Sequence, residues 1–82
     1  MELVDVIAVR HVRDHVLWLR FEDGVEGEVD LTDLLERPVF EPLRELDFFR
    51  RVRVDPELGT ITWPNGADVA PERLYRRVRV AV

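Results

Sequence analysis

"LWLRFEDGVEGEVDL", running from Leu17 to Leu31, decides the fold, because it can be folded into two hairpins and only one of them makes an apolar face. A two-residue turn at Asp23-Gly24 would set Phe21 opposite Glu26, Leu19 opposite Glu28 and Leu17 opposite Asp30. Every apolar side chain would then share its sheet face with an acid. Side chains alternate with a period of two, so a one-residue slip moves a whole strand to the wrong face. A three-residue loop, Glu22-Asp23-Gly24, with Gly24 left-handed in a bulge, repairs the register. Phe21 then faces Val25, Leu19 faces Gly27 and Leu17 faces Val29, while Arg20 meets Glu26 and Trp18 meets Glu28 on the other side. The bulged register is the one expected.

Upstream, residues 3–12 (LVDVIAVRHV) and 15–21 (HVLWLRF) are rich in β-branched and aromatic residues and read as strands around a turn at Arg13-Asp14. Downstream, Thr32 is placed to cap a short helix through Glu36, which Pro38 ends. Val39, Phe40, Leu43, Leu46 and Phe49 follow at roughly helical spacing, with Pro42 allowing only a short turn of helix before it. "RRVRVD" alternates as a strand, "PELG" loops, and "TITW" returns beside it. Pro64-Asn65-Gly66 is a turn with proline at its second position. A terminal helix then starts with Ala70 as cap and Pro71 at its first position, with Val69 and Leu74 spaced as a hydrophobic staple. The expected architecture is α+β: one domain over residues 1–82, a small antiparallel sheet of about five strands built from hairpins, and two or three short helices packed on one face.

The echo between "FRRVRV" (Phe49–Val54) and "YRRVRV" (Tyr75–Val80) is too short for a repeat architecture and reads as two strand starts with an aromatic plug and an arginine edge. Composition bounds the chemistry more firmly. The 82 residues are 46% hydrophobic and 35% charged, which describes a globular chain and not a disordered one. A domain of this size has little stability to spare, so a partner or a homodimer could matter. Cysteine, serine, lysine and glutamine are absent, and all twelve basic residues are arginine. Disulfides and thiolate metal sites are therefore excluded. No apolar run approaches the ~20 residues needed to span a bilayer, and the amino-terminal MELVDVIAV lacks the basic stretch of a signal peptide. The expectation is a cytoplasmic protein with no membrane association.

Charge is uneven. Residues 1–43 hold eleven acids and four arginines, a net −7, and residues 44–82 hold six acids and eight arginines, a net +2. Such asymmetry can mark a nucleic-acid face. It also fits two halves pairing in one sheet, the favoured reading, because a net charge of −5 opposes binding a polyanion.

Candidate chemistry is sparse. Without serine or cysteine, only threonines, Tyr75 or a carboxylate could serve as a nucleophile, and no glycine-rich loop opens a helix to cradle phosphate. His11 and His15 would pair on a metal only if they lay on a helix; flanking a turn, they read as solvent-facing imidazoles. The acids Glu22, Asp23, Glu26, Glu28 and Asp30 lack calcium-loop spacing and suit an exposed strand face. Asp68 reads as an Asx-type acceptor from nearby backbone, with no second group for acid–base work. Neither a catalytic centre nor a cofactor is expected. Trp63 is expected in the core. Trp18, on the polar side of its strand, is either covered by the Pro71–Val78 helix, the expected arrangement, or left as a partner-binding anchor. Arg50, Arg51, Arg53, Arg76, Arg77 and Arg79 would form the arginine stripes of a nucleic-acid-associated regulator, with Trp63 or Tyr75 to stack a base. No helix-turn-helix pattern or RNA-binding signature accompanies them.

Three pieces carry a resemblance: "LRFEDGVEGEVDLTDLL" (Leu19–Leu35), "PVFEPLRELDFFRRVRVDPELGTITWPNGADVAPERLY" (Pro38–Tyr75), and within the second the block Trp63-Pro64-Asn65-Gly66-Ala67-Asp68. They are similar to the bacterial domain of unknown function 2442, almost end to end. The resemblance implies an α+β fold with an antiparallel sheet and no catalytic residues. It also implies a neighbour. Members are often encoded beside a small protein of the domain of unknown function 4160 family, in pairs that look like toxin–antitoxin modules. Some longer relatives carry a carboxyl-terminal helix-turn-helix domain; none is read in these 82 residues, so direct repression is not expected. The leading expectation is a non-catalytic protein-interaction module, antitoxin-like, binding a small toxin-like protein. Its candidate partner-binding residues are Trp18, Arg20, Trp63, Asp68 and Tyr75.

Overall fold

A computed structural model describes residues 4–80, with backbone alone at residues 79 and 80. The chain runs β1 (Val6–Arg13), β2 (Val16–Phe21), β3 (Glu26–Asp30), two 3₁₀ turns (Thr32–Glu36 and Pro38–Arg44), α1 (Leu46–Phe49), β4 (Arg53–Asp55), β5 (Thr60–Thr62) and α2 (Pro71–Val80). The fold is α+β and antiparallel, as expected.

The bulged register holds. Leu17 pairs with Val29, Trp18 with Glu28, Leu19 with Gly27 and Arg20 with Glu26. Gly24 sits at φ 91° and the Phe21 N–H donates to Val25 O at 2.8 Å. Asp23 Oδ1 accepts the Val25 N–H and holds the loop. One face of the hairpin is thereby entirely apolar, and Leu17, Leu19 and Phe21 are fully buried.

The five strands do not form one sheet. β1-β2-β3 make a three-stranded sheet and β4-β5 a separate hairpin beside β1. β1 is irregular at Ile7 and Val12, which breaks the regular ladder that a fifth-strand extension would need. A single bond from the Val6 N–H to Gly59 O, 3.0 Å, ties the hairpin's turn to the β1 edge. The acidic and basic halves therefore meet through packing rather than through a shared ladder.

Several local readings change. The first 3₁₀ turn is preceded by Leu31, and Thr32 does not cap it; the Thr32 hydroxyl and N–H both donate to Asp30 Oδ1, at 2.6 and 2.9 Å. Pro38 does more than end that turn, for it begins the next, where a missing N–H costs nothing. Strand β4 starts only at Arg53, because Arg50 and Arg51 still close the end of α1 through bonds to Leu46 O and Phe48 O. The two "RRVRV" segments are thus a turn leading into a strand and a stretch of helix. They are not two strand starts. Where the first lies beside Phe49, alternation wins; in the second, Leu74 and Val78 share one helical face and both are buried.

The core lies between the apolar sheet face, α2, the 3₁₀ turns and β5. Trp63, 1% exposed, belongs to it, with its indole N–H donating to Phe49 O at 2.9 Å. The Pro64 turn closes through the Gly66 N–H to Trp63 O. Thr60 and Thr62 hydroxyls donate to Val69 O and Ala67 O, stitching the returning segment to β5, and Thr62 bridges Asp68. Val69 and Leu74 are buried as a staple requires, with Leu74 N–H reaching back to Ala70 O.

Candidate functional site

Opposite the apolar face, the three-stranded sheet presents Ala8 and Arg10 from β1, Val16, Trp18 and Arg20 from β2, and Glu26, Glu28 and Asp30 from β3, all but the buried Val16 half-buried or exposed. Trp18 occupies the middle strand. Its ring lies under the Arg10 guanidinium, 5.1 Å from the ring centroid, within the range of a cation–π contact. Arg20 pairs with Glu26 at 3.1 Å on one side, and Arg13 pairs with Glu28 at 3.3 Å on the other. These exposed pairs contribute under ~1 kcal/mol each and serve more to order the face than to stabilise the fold. Trp18 is thus framed by charges of both signs.

Helix α2 does not cover Trp18. It packs on β3 from the other side, where Val78 meets the backbone of Gly27. The expected burial of Trp18 fails because Trp18 and Gly27 point to opposite faces, while Leu74 and Val78 need the apolar one. Arg10 was not singled out from sequence, although a signal existed: Arg10 and Trp18 are equidistant from Asp14, the turn residue with φ 40°.

The other candidates separate. Trp63 is in the core and offers no surface. Tyr75 is half-buried on α2, edge-on to Phe21 at 5.0 Å, with its hydroxyl donating to Asp23 Oδ2 at 2.6 Å. It fastens the helix to the β2–β3 loop. Asp68 is exposed, and the nearby Asx acceptor is Asn65, which takes the Ala67 N–H. Asp68 and Arg76 instead line a cleft of about 460 Å³ between the first turn of α2 and the junction of the 3₁₀ turns, together with Arg37 and Arg73.

The arginine stripes are likewise divided. Arg50 is engaged by Asp47 on its own helix. Arg77 reaches Asp33 with both terminal nitrogens, at 2.8 and 2.6 Å, and also donates to Asp30 O. Hydrogen bonding to Arg77 holds the Asp33 carboxyl below its ordinary value, and the same contact raises Arg77. Arg51 and Arg53 are exposed by the β4 hairpin, Arg76 lies in the cleft, and the Arg79 side chain falls outside the described residues.

The imidazoles are not solvent-facing. His11 and His15 stand half-buried, edge-on to Phe49 at 5.9 and 4.7 Å, and bond Asp14 O and Leu43 O. Among the described residues no group of three or more metal-ligating side chains converges. No helix among them is long and apolar enough to cross a membrane. A family model described as "Protein of unknown function (DUF2442)" matches residues 6–80. No curated protein and no solved structure matches the chain.

Proposed function

Because the chain belongs to the DUF2442 family, for which no activity is described, we propose that it is a non-catalytic protein-interaction module whose docking surface is the open face of β1–β3 centred on Trp18. The observation that carries this reading is Trp18 itself: a large aromatic held under Arg10 on a face made otherwise of charged side chains, Ala8 and the small apolar Val16. Indole and guanidinium are the groups most often found to dominate binding energy at interfaces. Here they are already ordered, which lowers the entropy lost on association. The partner fitting the family resemblance is a small toxin-like protein encoded beside this chain, with this chain as its antitoxin-like counterpart.

Co-expression with that neighbour, followed by size-exclusion chromatography, tests the reading. Co-elution that Trp18→Ala weakens by roughly 2 kcal/mol or more is the expected result. Two proteins migrating independently at every salt concentration would overturn it. The same column, run with the chain alone, reads out a homodimer.

A further inference from the structure

We infer that the cleft beside α2 is a second recognition site, one that takes an acidic side chain adjacent to an apolar residue on a peptide segment of a partner protein. The inference rests on reading the chain as a partner-binding module, but on a different surface. Four arginines elsewhere are committed to carboxylates: Arg13 to Glu28, Arg20 to Glu26, Arg50 to Asp47 and Arg77 to Asp33. Arg37, Arg73 and Arg76 all line the cleft, and none of the three makes an ion pair among the described residues. Of the other arginines without an ion pair among the described residues, Arg10 lies over Trp18, Arg44 donates to Leu35 O, and Arg51 and Arg53 stand exposed by the β4 hairpin, whereas Arg37, Arg73 and Arg76 share one cleft. Two acids, Asp68 and Glu72, line the same cleft and still leave these guanidiniums uncommitted.

The arginines come from two elements. Arg37 joins the 3₁₀ turns, while Arg73 and Arg76 stand one turn apart on α2. A guanidinium presents a planar fork that matches a carboxylate in two parallel hydrogen bonds. The cleft also has an apolar side. Val39 is 60% exposed at its edge, and Phe40 and Val69 form part of its wall. An isolated valine exposed on a surface needs no explanation, but one beside uncommitted arginines gives an apolar neighbour of the carboxylate something to pack on. Asp68 and Glu72 decide between ligand classes. They reduce the cleft's formal excess to a single positive charge, which disfavours a polyanion such as nucleic acid and suits one carboxylate.

The test uses the full chain, isotope-labelled and followed by NMR while a capped peptide of alternating leucine and glutamate is added. Saturable shifts at the amides of Arg37, Arg73 and Arg76 are expected. The same peptide with glutamine replacing glutamate should bind about tenfold more weakly. Combining Arg37→Ala with Arg73→Ala should abolish the shifts, and lysine at both positions should retain part of them. Trp18→Ala should leave this titration unchanged, so failure here and failure of the sheet-face reading are told apart. Equal binding of the glutamine peptide, undiminished binding in the double alanine variant, or no saturable shift would overturn the inference. So would stronger binding of inorganic phosphate or a single-stranded oligonucleotide at the same amides.

Discussion

Val78 rests on the backbone of Gly27: a β-carbon at Gly27 would lie 3.1 Å from Val78 Cγ1. The glycine opposite Leu19 is therefore the seat of α2 on the three-stranded sheet. Gly27→Val should push the helix off its seat and cost roughly 1–3 kcal/mol, the usual range for overpacking a filled core. Urea denaturation monitored by circular dichroism would measure it. An unchanged midpoint would show that the helix shifts freely.

Gly24 and Gly59 both have positive φ, 91° and 68°, yet they should respond differently to alanine. Around Gly24 there is open space, so Gly24→Ala should cost only the backbone strain of a left-handed residue, about 1–2 kcal/mol. At Gly59 a β-carbon would also collide with the Asp5 carboxylate, beside the one backbone bond joining the hairpin turn to β1. Gly59→Ala should cost up to about 1 kcal/mol more than Gly24→Ala, the excess set by how freely the Asp5 carboxylate turns aside. Adding Asp5→Ala should recover most of that excess, as a double-mutant cycle would read.

Asp33 and Asp30 both have carboxyls held below their ordinary value, Asp33 chiefly by the hydrogen bond from Arg77 and Asp30 chiefly by the Thr32 hydroxyl. A depressed folded-state value means the unfolded chain takes up protons first as pH falls. The stability these groups add is present above about pH 4, the unfolded value, and disappears as pH drops through the folded values. Asp33 is 63% exposed, so solvent screening keeps its share below ~1 kcal/mol. Arg77→Ala should therefore lower stability more at pH 7 than near pH 2, where only its bond to Asp30 O and its packing are lost. A pH series of urea midpoints that moves in parallel for both proteins would contradict this.

The two tryptophans should be separable by light. Trp63 is 1% exposed and donates to Phe49 O, whereas Trp18 is half-buried under Arg10. In Trp18→Phe the remaining emission should be blue and resistant to acrylamide. In Trp63→Phe it should be redder and readily quenched. Stability should divide the same way, with Trp63→Phe costing roughly 1–3 kcal/mol because it leaves a gap in the core and takes away one of the two N–H groups that Phe49 O accepts, and Trp18→Phe changing the urea midpoint little.

Much of this protein was written locally. The β2–β3 register followed from alternation and one left-handed glycine, the Pro64 turn from proline and glycine spacing, and the start of α2 from Ala70-Pro71 with its Val69–Leu74 staple. Each rests on side-chain period or backbone preference within about ten residues, where the chain itself supplies the constraint. Other features waited on the tertiary fold. The same five letters, RRVRV, became turn and strand beside Phe49 and helix beside Gly27. Trp18 stayed open because α2 had to bury Leu74 and Val78 on the opposite face. His11 and His15 closed on Phe49, and Arg37 met Arg73 and Arg76 across 36 or more positions of chain. Such meetings depend on which face each element buries, and that competition is resolved only when all the elements pack at once.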